Sequence, residues 1–270
     1  MKPVKLCLLL FFGLTISKVK AQVIDTLLDI GTYKLHFKVT KGKGVPILFE
    51  SGGGLDSKQW DSIGYALHSG LNATIITYDR QGMGKSGLDT AQYNLLDEIK
   101  GLEIGLKQLG YANSKVVLVC HSLGAFYGRL YAARHPKFVR GIVMLDPRIP
   151  SLADMTFARN VMTGMNRKQF KQEELGLYYV LAQMESNSDY LRKVKVPSSI
   201  SVLDIMAEHG PFTVKADNDR FKSDQRRFVK EAPNRTLVFA KGSSHNIALD
   251  RPVLVIKQVT NFYKHLLIHK

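Results

Sequence analysis

The chain has 270 residues, 45% of them hydrophobic, with 38 Lys and Arg against 23 Asp and Glu and a net charge of +15. That length holds one large domain or two small ones, and the apolar share excludes a chain too polar to fold. The basic residues are spread along the sequence, with no zinc-finger, RNP-type or basic-aromatic array among them, so nucleic acid is not expected as a partner. A basic surface of this kind serves solubility first and also permits weak association with an anionic envelope surface.

At the N-terminus, Lys2 and Lys5 precede an apolar run over residues 6–16, and Ala21 closes the segment with a small side chain. This pattern predicts a secretory signal peptide over residues 1–21 and a secreted or periplasmic domain over residues 22–270, in a bacterial setting. No other stretch is apolar enough over a sufficient length to suggest a transmembrane segment. With Cys7 removed, Cys120 is left without a partner for an intramolecular disulfide. No C-x-x-C or other metal-ligand spacing occurs, and neither a metal nor a cofactor is expected.

In chain order, residues 33–39 alternate as a half-buried strand, and residues 45–50 form a short apolar run that stops at glycines. Residues 73–78 and 116–120 are continuous β-branched runs, which suit parallel strands buried on both faces. Residues 141–145, 200–203 and 236–240 repeat the type. Between them, residues 97–109, 123–134 and 251–267 place apolar side chains at helical spacing. This alternation predicts an α/β class with a mostly parallel sheet covered by helices on both faces. Residues 151 to about 195 contain no strand-like run and read as two or three helices, a lid inserted over the carboxyl ends of the strands.

The strongest chemical signal is Val116-Val117-Leu118-Val119-Cys120-His121-Ser122-Leu123-Gly124. A buried strand runs into a serine flanked by small residues, and a helix follows, the pattern of a strained turn that lifts a nucleophilic hydroxyl clear of a sheet. Serine is a poor nucleophile at neutral pH and needs a base, which in turn needs an acid to hold its tautomer. His245 follows a strand, sits in a Gly/Ser loop and precedes the last helix, so it is the expected base; His121 adjoins Ser122 but should point elsewhere and be structural.

These motifs, in this order, resemble the α/β-hydrolase superfamily over nearly all of residues 22–270. The stretch Phe49-Glu50-Ser51-Gly52-Gly53-Gly54 resembles its glycine-rich loop after the third strand, and Tyr78-Asp79-Arg80-Gln81-Gly82-Met83-Gly84-Lys85-Ser86 its turn after the fourth. Residues 129–147 resemble the helix and strand after the nucleophile, and residues 242–252 the histidine loop and last helix. Two positions depart from the pattern: Cys120 replaces a glycine, and Ser51 stands where histidine is common. The resemblance implies an α/β-hydrolase fold with a helical lid, a Ser122–acid–His245 triad, and an oxyanion hole from the backbone N–H groups of Leu123 and Gly53. Two acids follow strands in the right chain order, Asp146 and Glu208; Asp146 is preferred and Glu208 stays open. The implied function is an exported serine esterase acting on a small to medium acyl substrate without a cofactor. A proline-iminopeptidase-like peptidase, a lyase or carbon–carbon hydrolase, and a catalytically silent ligand-binding protein are the alternatives. The sequence gives no oligomeric state.

Overall fold

In the computed structural model, which describes residues 22–91 and 93–268, eight strands form one sheet in the order β1-β2-β4-β3-β5-β6-β7-β8. The strands are β1 (Val23–Asp29), β2 (Lys34–Thr40), β3 (Gly44–Glu50), β4 (Ala73–Asp79), β5 (Val116–His121), β6 (Val139–Leu145), β7 (Ser201–Ala207) and β8 (Arg235–Ala240). Only β1 and β2 run antiparallel to their neighbours; from β4 to β8 every pairing is parallel. The helices are α1 (Asp61–Leu71), α2 (Leu95–Gln108), α3 (Gly124–Arg134), α4 (Leu152–Thr163), α5 (Leu175–Ala182), α6 (Met184–Arg192), α7 (Lys215–Lys230), α8 (Ile247–Asp250) and α9 (Pro252–Ile268). This is the α/β-hydrolase architecture that the sequence predicted. The expected signal peptide, residues 1–21, lies outside the described residues.

The continuous apolar runs are explained by burial on both faces. Leu48, Val116, Leu118, Cys120, Ile142 and Met144 face a core shared with α2 and α3. Their chain neighbours Ile47, Phe49, Val117, Val119 and Val143 face a second core shared with α1 and α9. Each parallel strand must therefore be apolar at successive positions, not only at alternate ones.

Besides the single-turn helix α8, three elements had no clear signal in the sequence. β1 is an edge strand whose side chains are exposed or half-buried in strict alternation, with no fully buried position. The long helix α7 is strongly polar, and its buried positions include Lys222, Asp224 and Gln225 beside Phe221 and Phe228. No apolar stripe of ordinary width marks it as a helix. Helix α1 was missed as well; its last turn ends at Asn72 in the left-handed conformation, which asparagine tolerates. The strand expected at residues 200–203 continues to Ala207, so Asp204 lies within β7.

Register brings the functional loops to one level. Glu50 pairs with Cys120, and His121 with Leu145, which in turn pairs with Ile205. The loops that begin at Ser51, Ser122 and Asp146 thus emerge side by side at the carboxyl ends of adjacent parallel strands. The chain leaves β3 toward β4 on one side and returns to β5 on the other, so a crevice opens there.

Close packing at this point depends on glycine. A Cβ at Gly124 would lie 2.5 Å from the Glu50 carbonyl oxygen and 2.6 Å from that of Ser51. Both are backbone atoms of the central sheet and its loop, so they cannot swing away. Gly124→Ala is expected to cost about 3 kcal/mol, the upper end for an overpacked core, measured as a shift in urea unfolding midpoint at unchanged slope.

Candidate active site

Ser122 ends the turn between β5 and α3 with φ +51°, in the left-handed region that a non-glycine residue enters only when its surroundings hold it there. The surroundings are specific. Its N–H donates to the Leu145 carbonyl (3.0 Å), and its own carbonyl accepts from the Arg148 N–H (3.0 Å). Cys120, the departure from glycine two residues earlier, is accommodated by the following helix: a Cβ at Gly128 would fall on its Sγ, so the missing side chain there makes the room. Burial pushes the Cys120 thiol well above its ordinary range, leaving it a packing group.

His245 approaches from the loop after β8. Its Nε2 lies 2.8 Å from Ser122 Oγ and its Nδ1 lies 2.6 Å from Asp146 Oδ2. The carboxylate can only accept, so Nδ1 carries the proton and Nε2 is free to accept from the serine hydroxyl. Asp146 is fully buried at the end of β6, itself at φ +40°, with its N–H donating to the Ile205 carbonyl (2.8 Å). Its second oxygen, Oδ1, accepts from Lys222 Nζ (2.5 Å), Gln225 Nε2 (3.0 Å) and the Ala207 N–H (3.1 Å). Burial alone would raise this carboxyl, but the hydrogen bond to His245 and the Lys222 charge outweigh it and hold the group below its ordinary value.

The two acids that the sequence left open are thus separated by the tertiary structure. Glu208 is exposed and its carboxylate accepts from the Gly242 N–H. Asp204, inside β7, is fully buried with neither carboxylate oxygen hydrogen-bonded, and burial together with the Asp146 charge pushes it well above the usual carboxylate range. Of these three, Asp146 is the acid on His245. Lys222 and Gln225 went unseen in the sequence; they come from α7, 76 and 79 residues from Asp146, and no local spacing could mark them.

His121 is buried beneath the site. Burial first, and then the nearby His245, push it down to about 3, so it is neutral. Its Nε2 donates to the His245 carbonyl (3.1 Å) and its Nδ1 accepts from Gln59 Nε2 (2.7 Å), while Gln59 Oε1 accepts from the Gly52 N–H (3.0 Å). This chain of hydrogen bonds ties the glycine loop to the histidine loop. Ser51, where histidine is common, accepts from Trp60 Nε1 (3.1 Å) and donates to the Asp56 carbonyl (2.9 Å), so it fixes the loop's exit.

The glycine loop is also gripped from below. Arg80 Nη1 donates to the Ser51 carbonyl and Nη2 to the Gly52 carbonyl, each at 2.5 Å. In a planar trans peptide the C=O and the next N–H point in opposite directions. With the Gly52 carbonyl turned to Arg80, the Gly53 N–H is turned to the other side of the loop. Among the described residues, neither that N–H nor the Leu123 N–H has an acceptor within the chain. Arg80 is itself buried between the Tyr127 ring and Glu50, whose carboxyl burial pushes up to about 8.

Gly53, Ser122 and Leu123 open onto a cavity of about 310 Å³. Its walls are mainly apolar, with Phe157 and Val161 of α4, Leu177 and Val180 of α5, and Phe212 and Phe221 around α7. Helices α4 to α6, the insertion expected over residues 151–195, form its roof. Among the described residues no group of His, Cys, Asp or Glu could hold a metal ion, and no helix is long and apolar enough to cross a membrane.

Residues 47–258 match the sequence pattern of the Alpha/beta hydrolase family. The chain belongs to that family. It is 29% identical to the uncharacterized protein YqjL of Bacillus subtilis over 222 residues, 82% of this chain and 84% of that one. A haloalkane dehalogenase of Agrobacterium fabrum is 26% identical over 153 residues, which cover 56% of this chain and 48% of that enzyme. Among solved structures, a thermophilic esterase from Thermogutta terrifontis superposes with a TM-score of 0.63 over 91% of this chain and 99% of that one, at 15% identity.

Proposed function

We propose that the protein is an exported serine hydrolase that cleaves a carboxylic ester of a small to medium acyl group through an acyl-enzyme. The observation that carries this reading is the continuous line from Asp146 through His245 to Ser122, at 2.6 and 2.8 Å, ending at a cavity with two free backbone donors. Ser122 attacks the scissile carbonyl while its proton passes to His245 Nε2, and Asp146 stabilises the imidazolium. The tetrahedral oxyanion accepts from the N–H groups of Leu123 and Gly53. His245 returns the proton to the leaving alcohol, and a water, activated by the same base, releases the acid.

Serine chemistry also favours acyl transfer over halide displacement. A serine alkylated by a haloalkane would become an ether, which water does not cleave under these conditions, whereas an acyl-serine is an ester and turns over. A mainly apolar cavity of about 310 Å³ suits an acyl chain of modest length.

The experiment is a panel of p-nitrophenyl esters of increasing chain length beside aminoacyl-p-nitroanilides. Expected are burst kinetics with short and medium esters, and anilide turnover lower by orders of magnitude. Faster cleavage of proline anilides would instead make it a peptidase. Failure of Ser122 to label with a fluorophosphonate would make it a binding protein.

Lys222 supports the acid in this reading. Lys222→Met removes the cation that offsets the burial of Asp146, so the carboxyl rises from its depressed value toward the ordinary range. Loss of activity on acidification should then set in at higher pH than in the wild type, read from the kcat/KM profile. Breaking this buried pair should also cost about 3 kcal/mol of stability, read by urea unfolding.

A further inference from the structure

Among the described residues, Arg148 is the one charged side chain that lines the cavity above Ser122. It is only 6% exposed. Its backbone N–H holds the Ser122 carbonyl, so it is anchored beside the nucleophilic turn. Its guanidinium leans over the ring of Phe157, a wall of the same cavity.

The hydrogen bonds of that guanidinium are incomplete. Nε donates to Asp154 Oδ2 (3.1 Å). Nη2 lies 3.0 Å from Asp154 Oδ1 but at an angle that makes no hydrogen bond. Nη1 has as its acceptor the thioether of Met184 (2.7 Å), another wall of the cavity. A thioether is a weak acceptor. Behind it, over the Phe157 ring, stands Arg220, whose Nε and Nη2 are buried without a hydrogen-bond acceptor. Its Nη1 shares Asp154 with Arg148 and reaches Asp224 as well.

Buried donors without acceptors are unfavourable. Here the nearby carboxylates are already occupied: Asp154 also accepts from Ser188, and Asp224 from Ser151 and Arg227. Of the donors of Arg148, Nη1 is thus the one left at the cavity wall with only a thioether as acceptor.

We infer that Arg148 forms a subsite for a hydrogen-bond acceptor oxygen on the substrate's acyl chain, a ketone or carboxylate beyond the scissile carbonyl. This rests on the serine-esterase reading above and narrows its substrate class from plain alkanoates to oxo- or carboxy-acyl esters. The oxygen displaces the Met184 contact and takes Nη1, while Nε and Nη2 stay on Asp154 and the apolar walls hold the methylenes between the two carbonyl groups.

The test compares p-nitrophenyl pentanoate, 4-oxopentanoate and hemisuccinate, corrected for spontaneous hydrolysis, on the wild type, Arg148→Met and Arg148→Lys. The expected wild-type kcat/KM is about tenfold or more higher for one of the oxygenated esters than for the pentanoate. A ketone preference points to a neutral oxo group and a hemisuccinate preference to a carboxylate. In Arg148→Met the ratio should collapse toward one, and Arg148→Lys should retain part of it. If Arg148→Met does not fold, inhibition of the wild type by 4-oxopentanoate and succinate against pentanoate gives the same comparison. Equal or better use of the pentanoate by the wild type, or a ratio unmoved by Arg148→Met, overturns the inference. Fluorophosphonate labelling of Ser122 separates the two levels: labelling with no preference sinks the subsite alone, and no labelling sinks the esterase reading beneath it.

Discussion

Ser122→Ala is expected to lower ester turnover by on the order of 10⁶-fold while leaving the fold and its stability nearly unchanged. The hydroxyl is the only atom removed, and its one partner is His245 Nε2 at 2.8 Å. The turn itself is held by backbone bonds from Ser122 to Leu145 and Arg148, which alanine keeps. Nor does the substitution relieve the left-handed backbone, because alanine and serine carry the same Cβ there. His245 should remain in place on Asp146 and on the His121 hydrogen bond to its carbonyl. The measurement is single-turnover and steady-state hydrolysis of a p-nitrophenyl ester, with urea unfolding as the control for folding. A variant that keeps turnover within tenfold of the wild type would remove Ser122 from the chemistry. A large stability loss would show that the side chain matters for the turn rather than for the reaction.

Asp146→Asn is expected to lower kcat by about 10⁴-fold, and Glu208→Gln to leave it within about twofold. The reason lies in the three donors that converge on one side of Asp146: Lys222, Gln225 and the Ala207 N–H all address Oδ1. An asparagine has one carbonyl oxygen, and those donors will claim it. Its amide NH₂ must then face His245 Nδ1, which has to become an acceptor. The imidazole proton moves to Nε2, where it can no longer take a proton from Ser122. The geometry survives and the tautomer is wrong, so ester binding should change far less than kcat. Glu208 offers a contrast because its carboxylate is exposed and engaged with Gly242, away from the imidazole. Kinetics of the two variants side by side decide the matter, and loss of activity on Glu208→Gln with retention on Asp146→Asn would reverse the assignment.

Much of the scaffold was legible in the sequence because it is written in short range. The run from Val116 to Gly124 combines a doubly buried strand, a tight turn and a helix start, and each is a matter of near-neighbour sterics and periodicity. The same holds for residues 45–50 and 73–78, whose continuous apolar character follows from burial between two helical layers. It does not hold for β1, an edge strand with nothing fully buried, or for α7, whose buried side includes a lysine, an aspartate and a glutamine.

The sequence by itself determined the α/β fold and the strained serine turn, and it placed His245 in a loop at the correct end of the sheet. It preferred Asp146 as the acid but left Glu208 open, since both follow strands in the right chain order. That choice was made by tertiary structure: Asp146 is turned inward at φ +40° onto His245, and α7 brings Lys222 and Gln225 to its other oxygen. The orientation of the Gly53 N–H by Arg80, and the unmet donors of Arg148 in the cavity wall, were decided at the same level. Backbone conformation is fixed by residues a few positions apart, whereas a charge is held and oriented by whatever the fold packs against it from elsewhere in the chain.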